Sequence, residues 1–137
     1  MRSPFLLWLI LCIFTKRIYN KKNGGITMRK IEHFEKRAGG KGTIHIEHLL
    51  EDHQKHDINK LYAKFTIDVD SSIGIHQHVN DTESYTIVSG KGKYYNNGTY
   101  IDVYSNDVLF CDDGQSHGLE NTGDEPLVFF ALIQKKD

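Results

Sequence analysis

Residues 61–92 read LYAKFTIDVDSSIGIHQHVNDTESYTIVSGKG. Leu61, Ala63, Phe65 and Ile67 alternate with Tyr62, Lys64, Thr66 and Asp68. That period of two marks a strand with one buried face. Asp70-Ser71-Ser72 is turn chemistry. Ile73–His78 and Ser84–Ser89 read as two further strands, and Gly90-Lys91-Gly92 reverses the chain. No apolar stripe at i, i+3, i+4, i+7 runs through this region, so a helix is not supported.

The same grammar continues on both sides. Asn96-Asn97-Gly98 separates Tyr94-Tyr95 from Thr99–Tyr104, a hairpin signal because Asn and Gly tolerate positive φ. Asp107–Cys111 is a strand, followed by turns at Asp112-Asp113-Gly114 and Asn121-Thr122-Gly123-Asp124. Leu127–Ile133 is apolar throughout, which predicts burial on both faces. Upstream, Thr43–Leu50 reads as a strand and Glu51–Asn59 as a polar loop. Residues 30–38 are charged and read as an arm, punctuated by Gly39-Gly40-Lys41-Gly42. Many short strands with closely spaced turns predict an all-β sandwich or small barrel.

The chain has 137 residues, 26% of them charged, with 17 Lys plus Arg against 18 Asp plus Glu. Its size suits one domain. The near-zero charge gives no basic stripe for nucleic acid. Two cysteines, Cys12 and Cys111, exclude a disulfide scaffold and a four-cysteine zinc site.

Residues 1–27 do not match the rest. Phe5–Phe14 is an apolar run of ten flanked by Arg2 and Lys16-Arg17, too short to span a membrane, which takes roughly 20 residues. It suits the apolar region of a secretory signal, yet no small-residue cleavage site follows. Gly24-Gly25 lies two codons before Met28 and can be encoded by a purine-rich GGAGGA, the form of a bacterial ribosome-binding site. We therefore read residues 1–27 as a mis-called start, in preference to a signal, an anchor or a genuine extension. Residues 28–137 are then the working domain. Its 12 basic residues, after the five before Met28 are removed, face all 18 acidic ones, a net charge of −6.

Histidine carries the chemistry. In His76-Gln77-His78, side chains at i and i+2 of a strand share a face. Glu83 follows near the start of the next strand, and His117 comes just after the Asp112–Gln115 turn. Three imidazoles and a carboxylate form a mixed nitrogen and oxygen set that suits a divalent transition metal (Mn, Fe, Co, Ni, Cu or Zn) better than Mg or Ca. Tyr85 and Ile87 share strand parity with Glu83 and are candidates for cavity lining. Tyr85 reads first as a core residue. His45, His48, His53 and His56 suggest a second metal cluster only weakly, and we read them as solvated. Cys111 reads as a small core residue.

These residues resemble the cupin family, and specifically small single-domain bacterial cupins. His76-Gln77-His78, four residues, Glu83, six residues and Gly90 match the first family motif from its histidine pair onward. Gly114, His117 and Asn121 fall at the spacing of the second motif. Asp70 and Asn106 stand where the family usually has Gly, and Asp112 where it usually has Pro. All three fall at turn positions.

The resemblance implies a double-stranded β-helix, or jelly-roll, with His76, His78, Glu83 and His117 holding a divalent transition metal inside. It further implies open coordination positions for water or substrate. The expected function is an enzyme that uses the metal as a Lewis acid or O₂-activating centre on a small polar carboxylate or sugar derivative. Dioxygenases, decarboxylases and isomerases all occur in the family. The alternative is a non-catalytic metal-containing binding or sensor module. The expected partners are a small-molecule ligand and a second copy in a homodimer, with no nucleic acid and no membrane for residues 28–137. The expected location is the cytoplasm.

Overall fold

The computed structural model describes residues 17–20 and 25–137. The apolar run Phe5–Phe14, Cys12 and Lys22–Gly24 lie outside the described residues. The chain falls into two units, residues 1–30 and 31–137. In the first, strands β1 (Arg17–Asn20) and β2 (Gly25–Met28) pair antiparallel. No helix among the described residues is long and apolar enough to cross a membrane.

The second unit is built from ten strands in two antiparallel sheets. They are β3 (Ile31–Glu35), β4 (Thr43–His48), β5 (Asn59–Ile67), β6 (Ser72–Gln77), β7 (Asp81–Ser89), β8 (Gly92–Asn96), β9 (Thr99–Val103), β10 (Val108–Cys111), β11 (Ser116–Asn121) and β12 (Leu127–Lys135). One sheet has the order β10-β7-β12-β5-β4-β3 and the other β6-β11-β8-β9. Non-consecutive neighbours in both sheets give the crossed connections of a jelly-roll, the architecture expected from the sequence.

The core lies between the two sheets, because period-two alternation sends every second side chain inward. Ile44, Ile46, Ala63, Phe65, Ile67, Ile87, Leu119, Leu127, Phe129 and Ala131 are all buried there. Phe65 and Phe129 stack at 5.1 Å across the β5–β12 pair.

Three sequence-based expectations need correction, and one unassigned segment gains a strand. Residues 30–38 are not an arm: Ile31–Glu35 forms the edge strand β3, and Arg37–Gly39 a 3₁₀ turn. Glu51–Asn59 is not wholly loop, since Asp52–Lys55 makes one helical turn behind a Glu51/Gln54 capping box. Ser116–Asn121, unassigned from sequence, is strand β11. In β12, Leu127, Phe129 and Ala131 are buried, but Val128, Phe130 and Leu132 are only half-buried. That strand therefore has one buried face and one partly open face, although β5 and β7 flank it on both edges.

Backbone approach fixes the strand that carries the histidine pair. A Cβ on Gly74 would lie 2.0 Å from the Ala38 carbonyl oxygen, and one on Gly40 would lie 2.1 Å from that of Ser72. Only glycine lets the 3₁₀ turn press against β6 at this distance. The substituted turn residues also have a reason. Asp70 and Asn106 adopt φ of 58° and 75°, the left-handed conformation that Asp and Asn tolerate best after Gly. The turns keep their backbone without the family's usual glycines.

Candidate metal centre

Each site residue is delivered by strand register. His76 in β6 is the cross-strand partner of His117 in β11. His78 lies just beyond the end of β6. Glu83 in β7 comes from the opposite sheet, where it pairs with Cys111 and Ile133. One ligand atom from each of His76, His78, Glu83 and His117 falls within 4.8 Å of the others. The four residues singled out from the sequence are brought together between the two sheets.

The contacts are specific. His117 Nε2 lies 3.0 Å from His78 Nε2, 3.1 Å from His76 Nε2 and 2.9 Å from Glu83 Oε2. Glu83 Oε2 is 3.0 Å from His78 Nε2 and 3.8 Å from His76 Nε2. His78, Glu83 and His117 are buried, whereas the His76 side chain is 29% exposed. The cluster therefore opens to solvent on the His76 side.

The remaining ring nitrogens decide what the cluster suits. His76 Nδ1–H donates to the Gly74 carbonyl at 2.9 Å, and His78 Nδ1–H donates to Asp81 Oδ1 at 2.7 Å. His117 Nδ1 lies 2.8 Å from the Tyr94 hydroxyl. A carbonyl and a carboxylate only accept, so the His76 and His78 Nδ1 atoms carry protons, and the Tyr94 hydroxyl accepts from His117 Nδ1–H or donates to the bare nitrogen. In their neutral form His76 and His78 then aim Nε2 lone pairs into the cluster and at the Glu83 carboxylate, and His117 does the same when its Nδ1 carries the proton. Such a set is repulsive unless a metal ion or protons sit within it. An ion with bonds of about 2.1 Å to nitrogen spaces neighbouring donors roughly 3 Å apart, and four separations of 2.9–3.1 Å match, with His76 to Glu83 wider at 3.8 Å. The donors present fit a divalent transition metal of the kind that binds imidazole and carboxylate together.

Without metal, the same contacts set the protonation balance of the cluster. Hydrogen bonding to Glu83 raises the His78 pKa, burial opposes this, and Asp81 adds to the rise. Burial alone would raise the Glu83 carboxyl, but hydrogen bonds from His117, His76 and His78 hold it well below the usual carboxylate range. Burial lowers the His117 pKa, with Glu83 acting against it. The surroundings thus favour Glu83 as a carboxylate, and an incoming cation competes with protons for the ring nitrogens.

Tyr85 is buried, stacks on the His117 ring at 4.9 Å with an interplanar angle of 27°, packs on Phe129 at 4.4 Å and meets the Tyr94 ring edge-on at 6.2 Å. It borders the cluster as part of the core. Ile87 belongs to the apolar core. Burial pushes the buried Cys111 thiol up to about 11.

Sequence reasoning missed Asp81, Tyr94 and Gly74 as supports of the cluster. Asp81 shares a strand face with Glu83, and that parity was a usable signal. It is itself held by Lys60 Nζ at 2.5 Å. Tyr94 could not be paired with His117 before the β8–β11 register was known. The reading of His45 and His48 as solvated is corrected. His45 bonds His33 and Asp68, and His48 Nε2 lies 2.6 Å from Glu32.

Comparison with known proteins gives the family. The family model described as "Cupin domain" matches residues 63–133. The chain is a cupin. This cupin is 36% identical over 117 residues to a Thermotoga maritima protein named "Oxalate-binding protein", covering 82% of this chain and 97% of that one. A solved Thermotoga maritima structure, described as a predicted oxalate decarboxylase, superposes with a TM-score of 0.76 at 36% identity. It covers 78% of this chain and 93% of that one. A double-stranded β-helix protein from Klebsiella pneumoniae shares the fold alone, at 22% identity and a TM-score of 0.58 over 67% of this chain and 76% of that one.

Proposed function

We propose that this cupin is a metal-dependent enzyme acting on a small carboxylate, with a dicarboxylate of the oxalate type as the first candidate. The observation that carries the reading is the convergence of three imidazole Nε2 atoms and the Glu83 carboxylate, with every Nδ1 engaged by a hydrogen-bond partner. His76, His78, Glu83 and His117 would hold the ion. When bound, it would supply Lewis acidity toward a carboxylate oxygen and, if redox-active, electron transfer.

The rest falls to the chain's own residues. Gly74, Asp81 and Tyr94 keep the three rings turned so that Nε2 faces inward. Tyr85 and Phe129 exclude water behind His117. The partly exposed His76 edge leaves a route by which a small anion enters. The reading places the function in residues 28–137. It keeps the homodimer implied by the family resemblance, which light scattering on the purified chain tests.

A second reading is a non-catalytic carrier or sensor of the same ligand, favoured by the binding name of the Thermotoga relative. Calorimetry with oxalate and malonate on metal-loaded protein, followed by product analysis with and without O₂, separates the two. Conversion of a dicarboxylate supports the enzyme. Stoichiometric binding without conversion supports the carrier. Failure of every carboxylate to bind removes both.

A further inference from the structure

A second pair of histidines lies away from the barrel interior. His33 in β3 and His45 in β4 are direct cross-strand partners. Their neighbours Ile44 and Ile46 point into the core, so His45 stands on the opposite, outward face of the sheet. The two rings meet edge to face at 4.8 Å, with His33 Nδ1 2.5 Å from His45 Nδ1. At most one proton fits between these nitrogens.

The other nitrogen of His45 is committed. His45 Nε2 lies 2.9 Å from both carboxylate oxygens of Asp68 and donates to them. With its proton on Nε2, neutral His45 aims a lone pair from Nδ1 at His33. The logic matches the interior cluster: a carboxylate fixes one nitrogen, and the free nitrogen is presented to a second imidazole.

We propose that His33 and His45 form a second, solvent-facing site for a divalent transition cation such as Ni²⁺, Cu²⁺ or Zn²⁺. Two imidazoles select ions late in the first-row series over Mg²⁺ and Ca²⁺. An ion with bonds of about 2.1 Å needs its two nitrogens roughly 3 Å or slightly more apart. The exposed His33 ring can open the pair by less than about 1 Å to meet that need. Two protein ligands leave the remaining positions to water or a small anion. The ion is therefore exchangeable, unlike one enclosed by the four interior donors.

Equilibrium dialysis against Ni²⁺ tests the site. The intact chain should take up two Ni²⁺ and His33→Gln one. A His76→Ala, His78→Ala double variant, which disables the interior cluster, should retain one. In that background His33→Gln or His45→Gln should weaken the residual binding by at least about tenfold, and Asp68→Asn several-fold. His53→Gln should leave it unchanged. Residual affinity that is the same with and without His33→Gln reduces the pair to a hydrogen bond and overturns the proposal. So does Ni²⁺ uptake by the intact chain that His33→Gln leaves undiminished. The intact-chain measurement stands even if the double variant fails to fold, and loss of the interior site alone does not affect this inference.

Discussion

His117 meets His76, His78 and Glu83 through one nitrogen and Tyr94 through the other. Its orientation depends on a hydroxyl 23 residues away in sequence. Tyr94→Phe removes that hydroxyl and little volume, so the fold should persist while metal affinity falls about 10- to 100-fold. Competition against a coloured chelator reads this directly. Asp81→Asn should act alike through His78. Glu83 makes a pH prediction. Its folded pKa lies below the ordinary 4.5, so its contribution to stability is present above about pH 4.5 and is lost as the pH falls toward its folded value. Denaturant melts of metal-free protein should lose stability steeply on that limb, and Glu83→Gln should flatten it. Metal uptake should weaken as pH falls through the raised His78 pKa, because the ion and a proton compete for that ring. That these four residues cluster was legible in the sequence, because strand parity pairs His76 with His78 and the resemblance to the cupin motifs adds Glu83 and His117. Their supports were not, because they depend on cross-strand register.

Strand β6 carries the histidine pair, and its position is set by the 3₁₀ turn seated on Gly74. Gly74→Ala drives a Cβ into the Ala38 carbonyl and should cost about 1–3 kcal/mol in denaturant melts. Metal affinity should drop with it, since His76 also bonds the Gly74 carbonyl. Asn106→Ala tests the substituted turn. At a φ of 75° alanine should destabilise by about 1 kcal/mol, while Asn106→Gly should be close to neutral. Elements with clean alternation, such as β5, were readable from sequence. Strand β11 was not, because its inward positions include His117 and Asn121, and polar residues facing the core erase the apolar signal. Strand β3 was hidden for a different reason: as an edge strand it leaves Ile31, His33 and Glu35 exposed and has no fully buried face to reveal its period.

In residues 31–137 as a whole, the site exists because two sheets face each other. The histidines come from β6, its end and β11 in the four-stranded sheet, and the carboxylate from β7 in the six-stranded sheet. Asn121 helps hold the arrangement: its side-chain amide donates to the Ile67, Asp68 and Glu125 carbonyls and its oxygen accepts from Gly123. Sheet order could not be read from strand patterns alone, because long-range pairing leaves no local trace. The central claim is that these four side chains grip one transition ion tightly. The direct measurement is metal content per chain after chelator-free purification and gel filtration, for wild type and for His76→Ala, His78→Ala. The account predicts close to one tightly held ion in wild type and nearly none in the double variant. Equal metal in the two proteins would contradict it.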